Sequence, residues 1–247
     1  MKRPKRGLVR CAGSRDIEGR IPNATVRGSP AGNCFVSILA EAESAKFPGT
    51  ERACGVDVGL KTWAVLSDGT VDENPKWLGT LEAKLAKEQR ILSGREKGSA
   101  NWKEQRIRVA RVHEQIANAR AVVLHKTTTM IVKNHDIIGF EDLRIGNLLK
   151  NANRSRAISE VSWSMFRTML EDKADWYGKQ VVVIAKNVAF SQLCSSCGHD
   201  NKAVKSLSAR EWNGPACGSF HDSALNASIN LKNEAIRRLT VGTTGVA

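Results

Sequence analysis

Two carboxylates and one group of cysteines stand where residue type and spacing can support chemistry. Asp57 interrupts the apolar run Cys54-Gly-Val-Asp-Val-Gly-Leu60, and Glu141 closes a second one that begins at Asp136-Ile-Ile-Gly-Phe140. A strand-borne Asp among apolar neighbours is costly to bury unpaired, so it needs a cation or an Arg or Lys partner. A buried salt bridge meets that need. So does a pair of carboxylates at strand ends around Mg2+, a hard cation that takes oxygen ligands and leaves room for phosphate and water. Cys194-Ser-Ser-Cys197 has the spacing of a metal knuckle or a redox pair. Cys217 and His221 follow it in a Cys-x3-His spacing that could complete a Cys3His zinc site. A thioredoxin-like pair would carry a helix directly after it, and the residues here do not read as one. The six cysteines, at 11, 34, 54, 194, 197 and 217, show no disulfide framework, which points to a reducing cytosol and a cytoplasmic protein.

The elements that must hold these residues follow from periodicity. Alternation at Ala24–Arg27 and Cys34–Leu39, with a turn over Gly28–Asn33, predicts two short strands, and Ala45–Arg52 reads as a linker. The Asp57 run and Thr62–Leu66, around Ser67-Asp-Gly69, form a second hairpin. Leu78, Leu81, Leu85 and Leu92, a Gly/Ser break at 94–99, and then Ile107, Ala110, Ile116 and Val123 predict a long helical hairpin reaching about Lys133. A strand ends at Phe140, and a polar, Asn-rich loop covers Asn147–Arg156. An amphipathic helix carries Trp163, Phe166, Leu170 and Tyr177, and Gln180–Ala185 is a buried strand. The last helix runs from Ser223 to Leu239 with Asp222 as its N-cap, and the tail after it is expected to fray. The order is that of a mixed α/β fold.

Charge narrows the partner. The chain carries 38 Lys and Arg against 25 Asp and Glu, a net +13, which fits a polyanion such as nucleic acid or an anionic surface. Its apolar runs fall far short of the roughly 20 residues a membrane span needs, and no signal-peptide core follows the basic start. Between Lys76 and Lys133 thirteen Lys and Arg face five Glu, a surplus of eight. A solvated face with pairs such as Glu104–Arg108 is one reading. A basic arm along a phosphate backbone is the favoured one, and it nominates Lys84, Lys87, Arg90, Arg106, Arg108 and Arg111, with Arg154 from the basic loop.

Taken together, Gly55–Gly69, Phe140-Glu-Asp-Leu143, Lys186–Cys197 with Cys194-Ser-Ser-Cys-Gly-His199, and His221-Asp-Ser-Ala-Leu-Asn-Ala-Ser-Ile-Asn230 resemble the ordered motifs of TnpB, the OrfB "transposase" family of insertion sequences. Asn74-Pro-Lys-Trp-Leu78 and Trp176-Tyr-Gly178 add further anchors, and the similarity spans roughly residues 10–235. The resemblance implies an RNase H-like (RuvC) fold and an RNA-guided DNA endonuclease. In that family three carboxylates hold two Mg2+ ions, one activating water and one stabilising the leaving oxygen. Guide RNA reads the sequence while protein grips the backbone. Asp57 and Glu141 match the first two carboxylates.

Two positions depart from that pattern. The family's third motif reads His-Asp-Arg-Asp-x-Asn-Ala, and its catalytic Asp aligns with Ala224, which cannot ligate a metal. Asp222, about 200° away if both sat on one helix, is not expected to replace it. Gly214-Pro-Ala-Cys-Gly218 aligns with the second zinc knuckle and loses one Cys, leaving Cys194, Cys197 and Cys217 with His221 as a fourth candidate. Little or no DNA cleavage is expected. An active Mg2+-dependent endonuclease and a nuclease-dead RNA-guided regulator are the alternatives. Set against the family's length, residues 1–50 are expected to be the remainder of a β-rich wedge barrel. Residues 51–189 would be the RuvC-like core with the hairpin 75–134 inside it, 190–221 the ribbon and 222–240 the last helix.

Overall fold

The structure is a computed structural model that describes residues 2–3, 7–8, 12–13, 16–59, 62–73, 76–142, 154–185, 189–205 and 210–243. Residues 1–44 and 77–118 form one compact unit, and residues 45–76 and 119–247 the other.

In the first unit, β1 (Lys2–Arg3) pairs with β2 (Gly7–Leu8), and β3 (Arg20–Gly28) with β4 (Cys34–Glu41), both antiparallel. The predicted turn closes β3 onto β4, with Gly28 opposite Cys34. Helix α1 (Lys76–Ser93) and the start of α2 (Ala100–Asn134) are the predicted helical hairpin. The break between them is a turn over 94–99 in which Ser99 accepts a bond from the Trp102 amide, as an N-cap does. The β3–β4 turn docks on α2. Asn33 donates to Glu114 at 2.7 Å, Arg111 donates to the Ala31 carbonyl at 3.4 Å, and Ala31 is buried.

The second unit is built on a five-stranded sheet in the order β7-β6-β5-β8-β9. Its strands are β5 (Ala53–Val58), β6 (Thr62–Leu66), β7 (Val71–Glu73), β8 (Ile137–Glu141) and β9 (Gln180–Ile184). β5–β6 and β6–β7 run antiparallel, while β5–β8 and β8–β9 run parallel. Strands covered on both faces read as near-continuous apolar runs, as β5 and β6 do. Alternation then sorts side chains by face. Cys54, Val56, Val58, Ile138 and Phe140 pack with Leu124, Ile131 and Val132 of α2 and with Trp163, Phe166 and Leu170 of α3 (Arg154–Tyr177). On the opposite face Ile137, Val182 and Ile184 meet Ala227, Leu231 and Ala235 of α4 (Ser223–Thr243).

Helix α4 lies directly on the backbone of the two central strands. Gly55 and Gly139 are register partners across β5 and β8. A Cβ on Gly55 would overlap the Ser228 carbonyl and stand 2.5 Å from the Lys232 nitrogen. One on Gly139 would overlap the Leu231 carbonyl and stand 3.0 Å from the Ala235 Cβ. These glycines are there for close approach, not for turning.

Several boundaries differ from the sequence reading. α3 begins at Arg154, well ahead of Trp163, and α4 continues to Thr243 where fraying was expected. The Asn147–Arg156 loop falls largely on residues 143–153, outside the described ones. The supposed linker at 45–52 is tied down. Asp136 accepts from the Thr50 and Glu51 amides at 2.7 and 2.6 Å, Lys179 reaches both Asp136 and the Pro48 carbonyl, and Phe47 stacks on Tyr177 at 4.0 Å. Lys179 and then the two amides hold the Asp136 carboxyl down to about 2. A depressed carboxyl stabilises the fold above its unfolded value and loses that contribution as pH falls through its folded value. Asp136→Asn is therefore expected to cost about 2 kcal/mol or more at pH 7. In melts from pH 7 to 2 the deficit should shrink below pH 4.

Candidate functional site

Asp57 and Glu141 each stand one residue past the register pair Val56–Phe140, so the parallel β5 and β8 bring them side by side on the face that α4 covers. Asp57 is half-buried. Burial pushes its carboxyl up, the negative charges of Glu141 and Asp222 push it further, and Arg210 pulls the other way, leaving it at about 7. Asp222 is therefore within electrostatic reach of Asp57. Helical-wheel geometry does not apply to it, because Asp222 sits ahead of the helix, at the end of β11 (Phe220–Asp222). There it caps α4 as the sequence predicts. Its Oδ1 accepts from the Ala224 and Leu225 amides at 3.0 and 2.9 Å. Ala224 follows in the first turn, half-buried and with a methyl for a side chain. A carboxyl raised by the negative charges beside it is what a divalent cation relieves, and this oxygen donor set fits a hard ion.

The cysteines also converge. Among the described residues, the sulfurs of Cys194, Cys197 and Cys217 lie within 4.8 Å of one another. The donor set suits zinc. Two equivalent backbone knuckles carry them. In the first, Cys194 N donates to the His199 carbonyl at 2.9 Å and Gly198 N to the Cys194 carbonyl at 2.8 Å. In the second, Gly214 N donates to the Ser219 carbonyl at 2.8 Å and Gly218 N to the Gly214 carbonyl at 2.7 Å. Gly214 thus occupies in the second knuckle the place Cys194 holds in the first. β10 (Glu211–Asn213) pairs with β11 and sets Trp212 opposite His221, whose Nε2 is 3.0 Å from Cys194 Sγ. Ser219, by side chain and then backbone, holds the Cys217 thiol down to about 7.

Two residues of this region escaped the sequence reading as site elements. Asn226 and Asn230, one turn apart on α4 and both buried, donate to the Phe190 and Leu193 carbonyls at 2.6–3.3 Å. Asn226 also accepts the Ser195 amide at 2.9 Å. Together they clamp the first knuckle to the helix that lies on Asp57's sheet. The available signal was a pair of amides at i,i+4 on an otherwise small and apolar face.

Comparisons with known proteins agree with one another. A family model described as "Probable transposase", of the IS605 OrfB type, matches residues 37–152. A second, "Cas12f1-like, TNB domain", matches residues 163–231. A Streptomyces pristinaespiralis protein named "Putative RNA-guided DNA endonuclease" is 42% identical over 215 residues, covering 87% of this chain and 53% of the relative. The chain belongs to the TnpB/OrfB family.

A second TnpB/OrfB relative of the same description, InsQ of Escherichia coli K12, is 36% identical over 81% of this chain and 53% of its own length. The chain thus spans about half the length of the curated relatives it matches. Its fold is similar to that of a protein chain in a cryo-EM structure of a CRISPR-Cas12f ternary complex, with a TM-score of 0.55 at 18% identity over 81% of this chain and 42% of that one. The five-stranded mixed sheet with its helices is thereby the RNase H-like (RuvC) fold of the family. No helix among the described residues of this TnpB/OrfB chain is long and apolar enough to cross a membrane.

The basic candidates have mixed surroundings. Arg108 pairs with Glu104 at 2.7 Å, as the solvated-face alternative has it, and both are exposed. Arg106 stacks over Trp102 at 5.4 Å, and Lys84 reaches Gln115 at 3.4 Å. Arg111 holds the β3–β4 turn, while Lys87 and Arg90 are exposed on α1. The Arg154 side chain lies outside the described residues.

Proposed function

We propose that this chain is a nucleic-acid-binding member of the TnpB/OrfB family, derived from an RNA-guided DNA endonuclease, with little or no cleavage of its own. One observation carries the reading: Asp57 and Glu141 sit together on the α4 face, but the third motif position is Ala224, a methyl in the first turn of that helix. Asp57 and Glu141 would hold Mg2+, and Cys194, Cys197 and Cys217 would hold zinc. In a two-metal site the carboxylates would hold the ions that act on the attacking and leaving oxygens, so loss of one carboxylate lowers the rate by orders of magnitude. Binding rests on the basic arm, with DNA and RNA as partners, in the cytoplasm of a prokaryote.

The test has two arms. Purified chain with Mg2+ and plasmid or single-stranded DNA should yield no cut product, and Ala224→Asp should raise any residual rate. A Mg2+-dependent cut by the unmodified chain, lost on Asp57→Ala, would overturn the reading. The field of Asp222 on Asp57 favours one rival, in which Asp222 is the third acid, and that version requires the cut to vanish on Asp222→Asn as well. In the binding arm, replacing Lys87 and Arg90 together by Gln should weaken duplex binding regardless of sequence. It should also flatten the log–log salt dependence by about 2 units. An unchanged slope would remove α1 from the interface.

A further inference from the structure

We propose that the ribbon of this chain is an open metal site. Three thiolates hold zinc, the fourth position beside Gly214 takes an exchangeable small ligand, water or a thiol, and His221 acts as a hydrogen-bond donor to Cys194 instead of as a ligand.

Spacing separates the two roles. With Zn–S near 2.3 Å and Zn–N near 2.0 Å, tetrahedral ligands stand about 3.8 Å apart for two sulfurs and about 3.5 Å apart for nitrogen and sulfur. Cys194 Sγ and Cys217 Sγ are 3.6 Å apart, close to the first value. His221 Nε2 lies 3.0 Å from Cys194 Sγ, in hydrogen-bond contact with it, and in the Nε2–H tautomer the ring donates to the sulfur. Among the described residues, the group whose ligand atoms are mutually close is the three cysteines. His221 is held by Trp212, its register partner across β10–β11, whose ring lies 4.5 Å away.

The fourth direction is defined by Gly214. A Cβ there would stand 2.9 Å from Cys217 Sγ and 3.5 Å from Cys194 Sγ, so a cysteine at this position would bring its sulfur into the cluster once the Cys217 side chain rotates aside. Glycine supplies no donor. The second knuckle nevertheless keeps the same pair of backbone bonds as the first, so the backbone that aims position 214 is intact. Zinc sites with three protein ligands keep a fourth position for water or another small molecule, whereas structural sites are closed by four. Cys197 and Cys217 are exposed, so a small molecule can reach the ion.

Cobalt provides the readout. The full chain, stripped by chelator and reloaded with Co2+, should bind a single ion and show tetrahedral thiolate absorption in the visible. Millimolar 2-mercaptoethanol should shift that band. In Gly214→Cys the ion should bind more tightly and the shift should disappear, because the protein closes the site. His221→Gln, which can still donate to sulfur, should keep both the stoichiometry and the thiol response. A wild-type band indifferent to thiol, loss of Co2+ in His221→Gln, or no Co2+ bound by the unmodified chain would each overturn the proposal.

Discussion

Asp57→Asn is expected to melt at a higher temperature than the unmodified chain at pH 7 and above. The folded-state carboxyl lies at about 7, against an ordinary value of 3.8, because burial and two neighbouring acids disfavour its ionised form. Its favourable contribution is complete below the unfolded value and is lost as pH rises through the folded one. A carboxyl raised this far costs the ionised fold at most about 4 kcal/mol, and solvent screening of a half-buried group reduces this. Asparagine keeps the shape and cannot ionise. The gain in melting temperature should be near zero at pH 4 and grow toward pH 8. Mg2+ should stabilise the unmodified chain more than the variant. A gain that is constant with pH, or that shrinks as pH rises, would separate the stability effect from the charge cluster.

Gly55→Ala and Gly139→Ala should each destabilise the second unit by about 3 kcal/mol or more, at the upper end of overpacking costs. The obstructing atoms are mostly backbone: Ser228 O and Lys232 N for the first, Leu231 O for the second. Backbone cannot rotate aside as a side chain can, so α4 must lift from the sheet and carry Asp222 away from Asp57. Gly79 in α1 has nothing within 4 Å of where its Cβ would stand. Gly79→Ala should therefore stabilise by up to about 1 kcal/mol through helix propensity and serves as the control. Urea unfolding of the three variants measures the contrast. A Gly55→Ala chain as stable as the unmodified one would show that α4 is not seated as described.

Much of this architecture was legible because apolar periodicity is a local property. β5, β6, β8 and β9 and the two arms of the hairpin follow from residues within a few positions of one another. What escaped depends on partners distant in sequence. Nothing between Ala45 and Arg52 shows that Asp136 and Lys179 will fix that segment, and the strands β10 and β11 are too short to show alternation. Asp57 and Glu141 were identifiable as acids among apolar residues. That they adjoin on one face follows only from the parallel register of β5 and β8. Asp222 was readable as a cap and not as a neighbour of Asp57, since the first is a contact within three residues and the second crosses the fold.

The Asn226–Asn230 clamp has a consequence for how the second unit opens. Phe190, Leu193 and Ser195 are joined to α4 by five hydrogen bonds at buried amide side chains, four donated by the amides and one accepted from the Ser195 N–H. The first knuckle can then separate from α4 only by leaving several buried polar groups without partners, each costing about 1–3 kcal/mol. Knuckle and helix should accordingly share one opening free energy and exchange their amide hydrogens as a single foldon. Any ligand that binds Cys194 in the folded state would, by mass action, slow exchange along α4 as well as within its own loop.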